Sequence, residues 1–198
     1  MRNKVKLLLA LMLALASVPA TAQFSDAYNF FKAVKDRDVL AAKNLIDKPG
    51  SVVINQRDLD SGVTALILVT RRRDAPWMRF LIEEGADINA RDRDGNTALH
   101  VATMAGYADG VRLLIAFKAN VNAVNGRGQT ALFKAVERRD ADMVKLLLDN
   151  GADPDIPEHQ TGMSPRDLAR SDPRAGPIGR LLAEAPERVR KPVAGPSL

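Results

Sequence analysis

Apolar residues recur at helical spacing in short stretches along most of the chain. Leu99 and Ala102 lie three positions apart, so they fall on one face of a short helix. Val111 and Leu114 have the same spacing in the next stretch. A threonine suited to cap a helix N-terminus stands before three of these stretches, namely Thr64, Thr97 and Thr130. The pattern predicts pairs of short amphipathic helices joined by turns.

The helical stretches recur with a fixed period. The segment GVTAL at 62–66 returns 33 residues later as GNTAL at 95–99, and after another 33 as GQTAL at 128–132. A degenerate copy, GMSP, begins 34 residues further on at Gly162. The second half of the unit keeps the same step and occurs at 81–89, 114–122 and 147–155. A period of this length is typical of proteins built from stacked repeats.

These segments resemble the ankyrin repeat, whose motif is G-x-T-A-L-H-x-A followed by L-L-x-x-G-A-D-x-N. The resemblance covers about residues 26–186. It implies an all-α repeat solenoid of about five stacked repeats, each a helix-turn-helix followed by a β-hairpin finger. One helix pair cannot bury its apolar face alone, so neighbouring repeats must stack. The expected repeats are 26–58, 59–91, 92–124, 125–157 and 158–186.

Several positions depart from the repeat pattern. Gly85 and Gly151 follow a second helix, where a left-handed residue is wanted, but Lys118 stands there in the third repeat. We expect that side chain to cost about 1 kcal/mol. Pro173 and Pro177 are expected to interrupt the last repeat between its helices, which would leave a loose C-terminal cap.

The turn between the two helices of a repeat is rich in arginine. Gly106 occupies this turn in the third repeat, and the aligned positions of three other repeats hold Arg37, Arg73 and Arg139. An aspartate follows each arginine and is expected to cap the second helix; these are Asp38, Asp74 and Asp140. Two interpretations of the arginines stay open. They form a solvated charged edge, or they bind an anionic partner.

Residues 1–22 have the features of an export signal. A basic head of Arg2, Lys4 and Lys6 precedes the apolar run 7–16, and Ala20-Thr21-Ala22 forms a small-x-small cleavage site. The run is too short to cross about 30 Å of hydrocarbon, so no membrane span is predicted. We expect a periplasmic protein, with full secretion as the alternative.

Charge argues against a nucleic-acid partner. The chain has 29 basic and 24 acidic residues, but three of the basic ones lie in the predicted signal. The remaining charge of +2 is too small to hold many phosphates by electrostatics alone. Residues 187–198 include Arg188, Arg190 and Lys191 and have little to bury, so we expect a flexible basic tail there.

The sequence offers no catalytic residue, cofactor site or metal site. The absence of cysteine excludes disulfides, zinc–thiolate clusters and thiol catalysis. His100 and His159 lie about two repeats apart, and the resemblance assigns His100 to hydrogen bonding between repeats. The segment 92–96 differs from a calcium loop because its glycine comes too early and no closing glutamate follows. We therefore expect a protein that is not an enzyme.

The resemblance implies a concave protein-binding surface built from finger tips and inner helices. Positions expected to be exposed there include Asp60, Val63 and Glu137. The predicted partner contacts are Arg71, Arg72, Arg91, Arg93, Asp94, Asn96, Met104, Arg127, Gln129 and Arg138. The first hypothesis is a monomeric periplasmic scaffold for an unidentified protein partner, such as an inhibitor, immunity-type or protective partner of an envelope protein. The alternative is a binder of anionic envelope polymers or lipid headgroups, through the arginine edge and basic tail.

We expect the protein recovered from the cell envelope to begin at Gln23, because the preceding site has small residues at both required positions. Intact-mass measurement of the envelope fraction tests this expectation. Recovery of a mature protein that retains Met1 would contradict it.

Overall fold

The computed structural model describes residues 20–59 and 61–186. Most of the predicted signal peptide, Asp60 and the predicted basic tail 187–198 lie outside the described residues. Every regular element within the described ranges is a helix, which confirms the all-helical class. No helix among them is long and apolar enough to cross a membrane. The chain divides into two compact units, residues 1–65 and 66–198.

Within residues 20–59, the first unit contains two α-helices and a short 3-10 helix. Helix α1 spans Ala20–Asp36, helix α2 spans Val39–Ile46, and the 3-10 turn Val53–Asn55 packs against both. Phe30 and Phe31 are buried in α1, with their rings edge to face at 5.8 Å. The predicted cap of α2 is confirmed, because Asp38 Oδ1 accepts a hydrogen bond from the Ala41 amide at 2.9 Å.

Four helix pairs follow, and the first of these helices begins at the last residue of the first unit. The pairs are α3 (Ala65–Arg71) with α4 (Ala75–Glu83), α5 (Ala98–Met104) with α6 (Ala108–Ala116), α7 (Ala131–Glu137) with α8 (Ala141–Asp149), and α9 (Pro165–Ser171) with α10 (Gly176–Glu184). Among the second helices, α4 contacts α6 and α8 contacts α10, and among the first helices, α5 contacts α7 and α7 contacts α9. The second unit is thus a helical repeat array.

Leucines at equivalent positions form the core between neighbouring second helices. Leu81, Leu114 and Leu147 expose none of their surface, and they lie 33 residues apart. Leu99 and Leu132 are buried in the same way in the first helices. Burial of one such side chain stabilises the fold by about 1.5–3 kcal/mol.

The predicted β-hairpin fingers are not confirmed. Among the described residues, the segments between helix pairs contain only isolated antiparallel bridges, Arg57–Thr64 and Val124–Thr130, and no strand. The chain reverses within a few residues and enters the next helix at once. Asn125 N donates to Gln129 O at 2.9 Å, and α7 begins at Ala131. We call these segments connecting turns.

The left-handed positions agree with the sequence. Gly85 and Gly151 have φ of 95° and 85°, and Lys118 has φ of 67° despite its side chain. In the turn within each pair, Gly106 has φ of 62°, and the aligned arginines have similar values: Arg37 60°, Arg73 56° and Arg139 55°. The alignment of these arginines with a glycine is therefore confirmed, and each carries the strain of a left-handed residue.

The expectation for Pro177 is wrong. Pro177 lies in the first turn of α10, where the missing amide hydrogen would have no helical acceptor, so it starts this helix and does not interrupt it. Pro173 does lie between α9 and α10. The short turn between them is closed by the Ala175 amide, which donates to Asp172 O at 2.9 Å.

Replacement of Leu114 by alanine should lower the free energy of unfolding by about 2–5 kcal/mol, because the change leaves a cavity between stacked helices. Chemical denaturation followed by circular dichroism measures the change. Arg93→Ala is the control, since Arg93 is exposed and its loss should alter stability by less than about 0.5 kcal/mol. An unchanged denaturation midpoint for Leu114→Ala would show that the repeat register is wrong.

Candidate functional site

A groove of about 440 Å³ opens beside the first helices α5 and α7 and two connecting turns, 92–96 and 125–129. Six of the ten predicted partner contacts line it, and these are Arg71, Asp94, Asn96, Met104, Arg127 and Gln129. The other lining residues are Asp92, Val101, Ala105, Asn125 and Lys134. The fold thus brings together side chains from three successive repeats.

A buried side-chain oxygen holds each of the two turns. Asp92 Oδ1 accepts hydrogen bonds from the amides of Asp94 at 3.0 Å and Asn96 at 2.8 Å. Asn125 Oδ1 accepts the equivalent bonds from Arg127 at 2.9 Å and Gln129 at 3.0 Å. An amide oxygen can replace a carboxylate here because both turns require only an acceptor.

The same asparagine also links the two turns to each other. Asn125 Nδ2 donates to Asn96 Oδ1 at 3.0 Å, and the Gly126 amide donates to Asp94 O at 2.9 Å. Gly95 permits this approach, since a Cβ atom at that position would lie 2.4 Å from Gly126 N. The link explains why the turns form one wall of the groove.

Glu158 occupies the equivalent position in the last connecting turn. Its carboxylate accepts hydrogen bonds from the Thr161 hydroxyl at 2.5 Å and the Gln160 amide at 2.8 Å. These bonds, with that of Thr161 the strongest, lower the pKa of Glu158 to about 2. The His159 amide donates to Arg127 O at 2.9 Å, so this turn supports the backbone of the turn before it.

The charge of the residue facing each connecting turn changes along the chain. In the first unit, Lys35 Nζ lies 3.3 Å from Asp58 Oδ1. In the second unit, Arg71 lies 3.4 Å from Asp92 Oδ2 at the equivalent place. The next equivalent positions hold the uncharged residues Met104 and Asn125, followed by Glu137 and Glu158. The groove is lined by the charged pair Arg71–Asp92 on one side and by the uncharged residues Met104 and Asn125 on the other, so it spans the change from one to the other.

Three arginines of the connecting turns keep their hydrogen-bond donors free. Arg91, Arg93 and Arg127 are exposed, and their guanidinium groups form no hydrogen bond or ion pair with a described residue. Asp94 is also exposed, so the two signs are mixed at the groove. Arg127 lines the groove. Arg93, in the turn 92–96, and Arg91, just before that turn, are not among the lining residues.

The expectation that Val63, Asn96 and Gln129 are exposed is wrong. Val63 is buried in the first unit, and the two amides are only 8% and 7% exposed. Asn96 is fixed by Asn125, and the backbone carbonyl of Gln129 accepts a hydrogen bond from His100. The Asn96 side chain thus joins the two turns, whereas the Gln129 side chain is held within its own turn, with Oε1 3.5 Å from Asn125 Nδ2.

His100 connects two repeats beneath the groove. Its Nε2 atom lies 2.9 Å from Gln129 O, and its Nδ1 atom lies 2.9 Å from Thr97 Oγ1 and 3.3 Å from Thr97 N. A carbonyl oxygen can only accept, so Nε2 carries the hydrogen and Nδ1 accepts from Thr97. These contacts confirm the role in hydrogen bonding between repeats. Burial, helped by the charges of Arg91 and Lys134, lowers the pKa of His100.

The arginine turns within the helix pairs form a separate edge. Arg73 donates to Ala105 O, and Arg139 Nε donates to Asp172 Oδ2 at 2.8 Å. Arg73 and Arg139 therefore both reach the turn of the next helix pair. Arg72 and Arg138 precede these residues and do not line the groove. This bridging role could not be predicted from local sequence, because the contacts join residues 32 and 33 positions apart.

Helix pairs stacked at a 33-residue period define a helical repeat protein. A family model described as ankyrin repeats (3 copies) matches residues 30–125 and 77–158. The matched residues make up more than half of the chain, so the chain belongs to the ankyrin repeat family. No curated protein matches the chain significantly.

The free energy of unfolding should fall as the pH drops from 7.5 to 5.5. His100 is neutral in the fold, and its pKa there lies below the ordinary value of about 6.5, so the unfolded chain takes up the proton first. Urea denaturation at each pH measures the effect. His100→Gln should flatten the dependence, because it removes the buried group that takes up the proton on unfolding. A parent-like slope in His100→Gln would contradict the assignment.

Proposed function

We propose that the chain is a non-enzymatic scaffold of the periplasm that binds another protein through the groove. Membership of the ankyrin repeat family supports protein binding. The periplasmic location is based on the export features of residues 1–22. Inhibition, immunity-type neutralisation or protection of an envelope protein would each use such a scaffold.

The main support for the proposal is the uncharged pair at the groove, Met104 and Asn125. Lys35–Asp58 and Arg71–Asp92 place an ion pair at the equivalent positions. Met104 and Asn125 carry no charge there, and Met104 adds an apolar wall to the groove that Arg71 and Asp92 also line. Burying an ion pair under a partner is costly, but covering Met104 removes apolar surface from water. Methionine also adapts its shape to different contact surfaces.

Free arginine donors make the same region suitable for a protein surface. Arg127 lines the groove with an unpaired guanidinium group, and arginine is enriched among residues that dominate binding energy. Exposed Asp94 adds an acceptor close by. A partner with both acidic and donor groups around an apolar residue would match this arrangement.

Catalysis is not part of the proposal because the buried ionisable groups at the groove, Asp92 and His100, already have structural roles. The Asp92 carboxylate accepts two backbone amides and faces Arg71. His100 is buried, with both ring nitrogens engaged. Neither group has a free position from which to move a proton for a substrate.

The anionic-polymer alternative has less structural support. Arg73 and Arg139 of the turn edge already bond to neighbouring turns, which reduces what they can offer a polyanion. The basic tail lies outside the described residues. Binding through that edge would depend on Arg72, Arg73, Arg138 and Arg139 and would weaken steeply as salt rises.

The double variant Met104→Ala with Arg127→Ala should weaken partner binding by about 2 kcal/mol or more, as for central interface residues. Tagged parent and variant proteins are used side by side to capture partners from the cell envelope. Titration calorimetry with the protein that the parent alone retains then gives the affinities.

The matched control for this experiment is Arg112→Ala with Arg180→Ala, which removes exposed charges from α6 and α10. It should bind like the parent, and all three proteins should unfold at the same denaturant midpoint. If the groove variant binds like the parent while turn-edge variants lose affinity that salt also abolishes, the groove proposal is wrong.

A further inference from the structure

Exposed large apolar side chains are concentrated in the first unit. Among the described residues they are Tyr28, Val39, Leu40, Val52 and Leu59, and none comes from the repeat array of the second unit. Single exposed apolar residues are ordinary on a soluble protein, but several in one small unit indicate an interaction site. Two of them, Tyr28 and Leu59, line the same cleft.

The cleft lies between α1 and the segment 57–59 and has a volume of about 240 Å³. Tyr28 and Leu59 are 66% and 64% exposed at its walls, whereas Phe31 is buried beside them. An apolar cavity of about 150 Å³ can hold benzene in a protein interior. The cleft therefore has room for one aromatic or large aliphatic side chain.

Most charges around the cleft are already paired. Lys32 Nζ lies 2.5 Å from Asp36 Oδ2, and Lys35 Nζ lies 3.3 Å from Asp58 Oδ1. The Arg57 guanidinium donates to Gly62 O at 3.2 Å but contacts no carboxylate among the described residues. One positive charge is left without a negative partner at the cleft, and it belongs to Arg57.

Asp58 is not free to neutralise Arg57. Its Oδ2 atom accepts hydrogen bonds from the Ser61 hydroxyl at 2.6 Å and the Ser61 amide at 3.3 Å, while Oδ1 faces Lys35. Burial alone would raise the pKa of Asp58, but the bonds from Ser61 and Lys35 lower it. The carboxylate therefore stays anionic at neutral pH and remains committed to the turn.

The chemistry of an occupant follows from these two features. The apolar walls favour a large hydrophobic group, because covering Tyr28 and Leu59 removes them from water. The remaining donors of Arg57 suit a carboxylate, which a guanidinium group binds with two parallel hydrogen bonds. A cationic ligand would meet an excess of positive charge and is disfavoured.

We propose that this cleft is a docking site for a protein segment in which a large apolar side chain stands next to an acidic residue. The apolar side chain sits against Tyr28, Phe31 and Leu59, and the carboxylate pairs with Arg57. The site belongs to the first unit, and docking there does not require the function proposed for the groove.

Titration of the ¹⁵N-labelled protein with blocked tetrapeptides tests the site by NMR. Acetyl-Gly-Phe-Asp-Gly-amide should shift the amide signals of Tyr28, Phe31, Arg57 and Leu59. Replacing its Asp by Lys, or its Phe by Ala, should weaken binding at least tenfold. Replacing its Asp by Asn should weaken binding at least fivefold in the parent and have no effect in Arg57→Gln, because the partner charge is then already lost.

Two further variants keep the test decisive if Arg57→Gln lowers stability through its bond to Gly62. Leu59→Ser changes only an exposed wall and should weaken the Phe-Asp peptide at least threefold, while Arg180→Gln on α10 should have no effect. Equal binding of the Lys and Asp peptides would overturn the proposal. Signal shifts confined to residues outside the cleft would overturn it as well.

Discussion

One buried oxygen acceptor in each connecting turn is the constraint on which the rest of the structure depends. It accepts the backbone amides that a tight reversal would otherwise leave buried and unpaired, at a cost of about 1–3 kcal/mol for each group. Asp92 and Asn125 perform this role with nearly the same bond lengths. The full set at equivalent positions is Asp58, Asp92, Asn125 and Glu158. Because each turn is closed in this way, the following helix starts in a defined place and its leucines can stack.

The chemical identity of that acceptor also determines what each repeat can present. Where it is a carboxylate opposite a cation, as in Arg71–Asp92, the repeat presents an ion pair. Where it is an amide, as at Asn125, the facing residue is Met104 and a groove opens with an unpaired arginine beside it. The proposed binding surface thus arises where the acceptor of one connecting turn, and the residue facing it, differ from those of the other repeats.

Sequence alone predicted the fold well because its signals are local and repeated. The 33-residue period located the helix pairs. The requirement for a left-handed residue identified the backbone conformation of Lys118 and aligned Arg139 with Gly106. The burial of Asn96 and Gln129 could not be predicted, because Asn96 bonds to Asn125 and the Gln129 backbone bonds to His100, each 29 positions away in the chain. The bridges from Arg73 and Arg139 were missed for the same reason, since nothing local to an exposed arginine indicates its acceptor.

Photo-crosslinking from the groove tests directly whether a partner protein binds there. A photoreactive amino acid is placed at position 104 of the tagged protein, and at positions 112 and 180 on the second helices as references. After irradiation of intact cells, binding in the groove should give one discrete crosslinked protein from position 104 and none from positions 112 and 180. The same product from position 112 or 180, with no product from position 104, would contradict it.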